Sequence, residues 1–306
     1  MRPTSLFAAA VLGAAALGAP APALGQQPGQ QQPVQVVLTK IGSNFYGIDG
    51  QGGRMGALIG PDAIFMVDAQ SAAIADRIVG EIRKVSDKPI KFLVNTHVHA
   101  DHTGGNAKYA ALGATLMSRP LLRERLAHPA PPANGGAAPA VDPMSLPTFI
   151  FDAPMTIYAF GEPIELIPIL RAHTDGDTAI RFPMSNVLMT GDVFRSLGYP
   201  NIDLGVGGSL NGLITGLNQL IDLAGPDTKV LPGHGAISDR NAIIAHRDMV
   251  IVMRDRVIKA IKEGKTRDQI IAAKITADYD EKTGNAAGSA DRFVGQLYDE
   301  LKGTTK

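Results

Sequence analysis

Four times along this chain an apolar stretch of strand character stops, and a side chain able to bind a metal follows within four residues. After Ile90–Asn95 comes Thr96-His97-Val98-His99-Ala100-Asp101-His102, and after Ile164–Ile169 comes Ala172-His173-Thr174-Asp175-Gly176-Asp177. After Val187–Thr190 comes Gly191-Asp192, and after Lys229–Leu231 comes Pro232-Gly233-His234-Gly235. Three His and one Asp within six residues cannot share one face of a strand or a helix. On a tight loop they splay toward two neighbouring points. Five of the seven His sit at such strand ends beside Gly and Asp, which a solvated polar loop does not explain. Sites in layered α/β proteins are commonly built where strands run out into loops. The chain has no cysteine, so imidazole and carboxylate are the donors left for zinc. Disulfides, thiolate zinc ribbons, iron–sulfur clusters and thiol nucleophiles are excluded. His128, in a Pro-rich loop, and His246, on a terminal helix, read as surface or hydrogen-bonded core residues. Asp175 and Asp177 read as turn formers outside the ligand set.

The patterning around these points predicts two strand-rich halves. Runs at Val34–Leu38, Phe45–Ile48, Met55–Ile59 and Ala63–Asp68 are separated by Gly-bearing turns such as Asp49-Gly-Gln-Gly-Gly53. A helix follows over 71–85, with Ile74, Ile78 and Ile82 one turn apart. Ile90–Asn95 is apolar enough to be buried on both faces. The second half adds strands at Met155–Ala159, Ala179–Phe182 and the three already named, with a helix at Leu210–Leu223. Residues 240–306 read helical, with a stripe of Ile243, Val250, Met253, Val257 and Ile261 and a capping box at Thr266-Arg-Asp-Gln269. His128–Pro143, rich in Ala, Pro and Gly, predicts a mobile loop. Sheets packed inside and helices outside are the expected arrangement.

The N-terminus is separate in kind. Arg2, the apolar run Leu6–Ala19 and small residues to Gly25 predict a secretory signal peptide over 1–25. Residues 26–33 then form a flexible leader, and 34–306 a single domain that includes the C-terminal helices. Export to the periplasm or the medium is the expectation. No other apolar run is long enough to span a membrane. With 29 basic and 29 acidic residues and no run of four basic ones, the chain lacks the surplus that phosphate backbones require. A small-molecule substrate is expected, and no nucleic acid.

His97-x-His99-x-Asp101-His102, followed in order by His173, Asp192 and His234, resembles the metallo-β-lactamase fold superfamily across the whole of 34–306. The resemblance implies an α/β fold, the four-layer αβ/βα sandwich, with two zinc ions per chain at one edge of the sheets. Carried over, His97, His99 and His173 hold the first zinc, and Asp101, His102 and His234 the second. Asp192 takes the bridging or second-metal position. Two such ions lower the pKa of a shared water from about 15.7 toward neutrality, and the hydroxide attacks an acyl carbon. Asp101 is the catalytic candidate, since it both ligates and can orient the water or move its proton. Arg195, three residues after Asp192, is the candidate grip for a substrate carboxylate.

The first activity this implies is β-lactam ring hydrolysis (EC 3.5.2.6), with antibiotic resistance as its consequence. The best-known lactam-hydrolysing subclass has Cys where this chain has Asp192. The carboxylate is the pattern of glyoxalase II-like thioesterases and lactonases, so a lactonase, esterase or thioesterase is the alternative. The loop Thr96–His102 also resembles that of persulfide dioxygenases, which bind one iron. Export opposes that branch and glyoxalase II alike, and His99 opposes the flavodiiron branch, which has Glu there. An exported accessory protein of a quinoprotein system is the third reading.

Overall fold

In the strand Ile64–Val67 alternate side chains reach opposite faces: Ile64 and Met66 join one buried cluster, Phe65 and Val67 another. A strand apolar on both faces must be covered on both, and that requirement sets the layering. The protein is described from a computed structural model, which covers Met1 and residues 34–303 apart from 133 and 285. The signal-peptide reading of 1–25 and the leader reading of 26–33 lie, Met1 aside, outside the described residues.

The first sheet runs in chain order: β1 (Val37–Lys40), β2 (Phe45–Asp49), β3 (Met55–Ile59), β4 (Ile64–Val67), β5 (Ile90–Val94), β6 (Thr115–Ser118) and β7 (Phe149–Ile150). β1 to β4 pair antiparallel, and β4 to β7 pair parallel. The second sheet comprises β8 (Met155–Ala159), β9 (Glu162–Pro168), β10 (Thr178–Phe182), β11 (Val187–Met189) and β12 (Lys229–Leu231), in the order β12-β11-β10-β9-β8. Only β11 and β12 pair parallel there. The helices are α1 (Ala75–Arg83), α2 (Ala100–Thr103), α3 (Asn106–Ala111), α4 (Pro120–Ala127), α5 (Leu210–Leu223), α6 (Arg240–Lys262), α7 (Arg267–Ala272) and α8 (Ser289–Leu301).

The sheets face one another across a cluster that draws Phe45, Leu58, Phe65 and Val94 from the first and Leu166, Ile180, Phe182 and Met189 from the second. Phe45 and Phe182 meet edge to face at 4.7 Å, an arrangement that contributes about 0.5–1.5 kcal/mol beyond its buried area. On the outer face of the first sheet, Ile48, Met66 and Leu93 pack with Ile74, Ile78 and Ile82. On the outer face of the second, Ala179, Leu188 and Val230 pack with α5, α6 and α8 through Leu213, Val250, Met253 and Phe293. Helix, sheet, sheet, helix: this is the four-layer αβ/βα sandwich.

β9, β11 and β12 run in one direction, so their C-terminal ends lie together, and Thr178 N donates to Thr96 O to tie that edge to the loop after β5. Several elements differ from the patterning. The first strand lies at Val37–Lys40 rather than 34–38; as an edge strand it accepts Thr39 and Lys40. The helix expected over 71–85 opens with a 3₁₀ turn at Ala72–Ile74. β5 is not covered evenly, since Lys91 is exposed. Residues 106–127 carry α3, β6 and α4, elements of four to eight residues too short for periodicity to mark. The capping box at Thr266 and Gln269 is present, and among the described residues 129–142 carries no helix or strand, a 3₁₀ turn following at Pro143–Ser145.

Candidate metal centre

The strand-end side chains converge. His97, His99 and His173 offer ligand atoms within 4.8 Å of one another, as do Asp101, His102 and His234; a third grouping joins His97, His102 and Asp192. Asp192 stands between the first two sets. Its Oδ2 is 3.8 Å from His173 Nε2, and its Oδ1 is 3.5 Å from His102 Nε2 and 3.4 Å from His234 Nε2. Asp101 Oδ2 lies 3.1 Å from His234 Nε2 and 3.8 Å from His102 Nε2.

Hydrogen bonds on the outer nitrogens fix which ring atoms face inward. Thr96 Oγ1 donates to Asp68 Oδ2 (2.8 Å), so toward His97 Nδ1 (3.0 Å) it can only accept. His97 Nε2 is left as a lone pair. His102 Nδ1 donates to Asp68 Oδ2 (2.8 Å), His173 Nδ1 to the Asn201 carbonyl (2.6 Å) and His99 Nε2 to Asp203 Oδ2 (2.8 Å). Four imidazoles therefore aim lone pairs at the centre. His99 Nδ1 and His173 Nε2 are 2.9 Å apart, a contact of two lone pairs that only a cation or a proton between them makes favourable. His97 Nε2, His102 Nε2 and Asp192 Oδ1 are buried without any hydrogen-bond partner. Each such orphan costs on the order of 1–3 kcal/mol. Three orphans at one point, with donors of the type zinc accepts, fit a metal centre.

Electrostatics agree with the donor set. Burial holds His173 near pKa 4 and His97 well below its ordinary value, so both rings are neutral at pH 7. Burial also opposes charge on His102, but Asp68 and Asp192 outweigh it and raise the ring to about 10; without metal, the proton resides there. Burial would raise Asp192 and Asp101. The charge of His102, joined by His173 and His97, brings Asp192 well down, and the His234 hydrogen bond brings Asp101 to about 2.

Two glycines frame the second set. A Cβ on Gly53 would sit 2.1 Å from His102 Nε2, and one on Gly233 would sit 2.0 Å from Asp192 Oδ1. The backbone there is a cradle that a methyl group would fill. Gly53 belongs to the turn after β2, and its N–H donates to Asp101 O. Neither Gly53 nor the outer carboxylates Asp68 and Asp203 stand out in the sequence reading. For Asp68 a signal existed: it ends the strand Ala63–Asp68 just as the ligands end theirs. Its φ of 63°, rare outside glycine, marks a backbone held in place by what it binds.

Arg195 reaches Asp192 Oδ2 through Nη1 at 3.1 Å, and its Nε is buried without a partner. His128 is exposed, pairs with Glu124 and belongs to none of the ligand groupings. His246 is buried with Nε2 unpartnered, so the expectation of a surface or hydrogen-bonded residue does not hold; its ring edge instead meets Phe194 at 5.2 Å. Asp175 pairs with Arg125, and Asp177 accepts from Thr174 N and Oγ1, both outside the ligand groupings.

The chain belongs to the metallo-beta-lactamase superfamily, whose sequence model matches residues 56–235. Among solved structures, a metallo-beta-lactamase from Pontibacter korlensis is 18% identical, with a TM-score of 0.60 over 71% of this chain and 99% of that one. A stereoselective inverting sec-alkylsulfatase from Pseudomonas sp. is 16% identical, with a TM-score of 0.69 over 86% of this chain and 50% of that one. At such identities the likeness is one of fold. A curated relative, the linear primary-alkylsulfatase of Pseudomonas sp. (strain ATCC 19151), is 44% identical over 46 residues, which is 15% of this chain and 9% of that protein.

Proposed function

We propose that this member of a superfamily of metal-dependent hydrolases opens the β-lactam amide, working with two zinc ions per chain and acting in the periplasm or outside the cell. The observation that carries the two-metal reading is the position of Asp192, one oxygen toward His173 and the other toward His102 and His234. His97, His99 and His173 would hold one ion, Asp101, His102 and His234 the other, and Asp192 would serve both. Bound there, zinc supplies Lewis acidity and a water acidic enough to ionise near neutral pH. The residues do the rest. Asp101 is kept charged and its side chain is 40% exposed, so Oδ1 is free to orient water or receive a proton. Asp68, Thr96, Asn201 and Asp203 hold the imidazoles in the tautomers a metal requires. Arg195 spends one N–H on Asp192 and keeps its remaining donors for a substrate carboxylate. Export is supported by the composition of residues 1–25.

The test is a panel: zinc-loaded protein with a chromogenic cephalosporin, a homoserine lactone, a thioester and a primary alkyl sulfate, each with and without chelator. Chelator-sensitive turnover of the cephalosporin is expected. Turnover of the lactone or thioester alone would replace the lactam reading with the lactonase or thioesterase one. The alkyl sulfate is included because of the local 44% identity to the primary-alkylsulfatase. No turnover of any member would favour the exported accessory role.

A further inference from the structure

Beside the metal centre lies a cavity of about 280 Å³. Phe194, Met249 and Tyr279 give it apolar walls, and Arg195, His246 and Lys282 give it polar ones. α6 supplies His246 and Met249, the loop after Asp192 supplies Phe194 and Arg195, and the turn before α8 supplies Tyr279 and Lys282. None of the three metal groupings contributes to its lining; Arg195, bonded to Asp192, is the link between centre and cavity.

Three features set this cavity apart from a packing gap. His246 and Arg195 are residues of its wall, and His246 Nε2 and Arg195 Nε are buried without a hydrogen-bond partner. An apolar gap would not leave two polar atoms so exposed to cost. The charges are of one sign: Arg195 and Lys282 line it, Arg292 lies near enough to feel the Arg195 charge, and no Asp or Glu is among the described lining residues. Lys282 has its ammonium 5.5 Å from the centre of the Tyr279 ring. Burial, reinforced by Arg195, keeps His246 near pKa 4, so it is a neutral hydrogen-bonding ring at pH 7. The volume has room for roughly nine groups of water size.

We propose that this cavity binds the side group of the substrate or product, an amphipathic organic anion whose carboxylate meets Arg195, Lys282 and His246 while its apolar body lies against Phe194, Met249 and Tyr279. This rests on the hydrolase reading above for what the anion is, but not for whether it binds.

The probe is octanoate. The chain has no tryptophan, so Tyr279→Trp creates a single reporter in the cavity wall. Its emission should change saturably with octanoate in the zinc-loaded protein, and octan-1-ol, which lacks the charge, should bind about tenfold more weakly. Adding Ala245→Phe, which fills the cavity, or Lys282→Glu should weaken octanoate at least about tenfold, and His246→Phe, which keeps a ring and removes Nε2, about fivefold. Calorimetric titration of the unaltered protein gives the same answer should a variant fail to fold. No saturable binding up to about 10 mM, or undiminished binding after Ala245→Phe, would overturn the proposal. Octanoate binding without turnover of any panel substrate would keep the cavity and remove the hydrolase reading. Turnover without octanoate binding would do the reverse.

Discussion

The two halves of the metal centre are held in unequal ways. In the His97, His99 and His173 half, every ring has its outer nitrogen pinned, by Thr96, Asp203 and the Asn201 carbonyl respectively. In the Asp101, His102 and His234 half, only His102 is pinned, by Asp68. Asp101 and His234 are partly exposed and lean on each other. A ligand set whose rotamers are fixed in advance loses little freedom on binding, whereas a half-open set must be ordered by the ion. The first half is set in advance; the second is completed by two side chains that hold each other. Asp192 belongs to both.

The strongest way to break this comparison is to remove the shared carboxylate. Asp192→Ala takes an oxygen from each half and frees the Arg195 guanidinium, so hydrolysis should fall by about a thousandfold or more. Metal content after dialysis should drop below one ion per chain, counted by elemental analysis. Two ions retained would show that the halves stand without a bridge.

Gly53→Ala should separate the halves. The new Cβ would meet His102 Nε2 at 2.1 Å, and His102 cannot retreat because Asp68 holds its other side. One ion should remain, and turnover should fall about a hundredfold. Asp101→Asn comes next. It keeps the shape and removes the charge at the exposed edge, so turnover should fall within the 10²–10⁴ range of general base losses, nearer its lower end at about 10². Affinity for the first ion, measured by chelator competition, should stay within about threefold. Equal losses in both quantities would mean that Asp101 builds the centre rather than works in it.

What the sequence displays and what it conceals follow the same division. The seven candidate ligands are legible because each follows an apolar strand, and strands are legible because residues such as Phe45, Ile64, Leu166 and Leu188 fall into separate buried clusters. The frame around the ligands is not. Gly53 and Asp68 lie 49 and 34 positions before His102 and meet it only when β2 and β4 are laid beside β5's outgoing loop. Nothing about Gly53 in its own Gly-rich turn separates it from Gly52. α3, β6 and α4 escape for another reason: at four to eight residues, their burial pattern completes too few turns to repeat. His246 is concealed by its helix, where one buried polar residue interrupts an apolar stripe without advertising the cavity it faces.

The smallest expected effect sharpens the comparison most. Asp68 and Asp203 do the same job, each accepting from the outer nitrogen of one imidazole at 2.8 Å, but in different surroundings. Asp68 is fully buried and also receives Thr96 N and Oγ1, so Asp68→Ala strands three donors and loosens both His102 and, through Thr96, His97. Its cost in metal affinity should reach the upper end of the range for such partners, about a hundredfold. The Asp203 side chain is 32% exposed, and His99 is 27% exposed, so in Asp203→Ala water can accept the freed N–H. The other two rings of that half keep their own partners. Affinity for the first ion should therefore fall only about tenfold, and Asp203→Asn, which preserves an acceptor oxygen, should recover most of it. Chelator competition on the three variants measures this directly. If Asp203→Ala costs as much as Asp68→Ala, burial is not what distinguishes the partners, and the first half owes its rigidity to one exposed carboxylate rather than to three independent anchors.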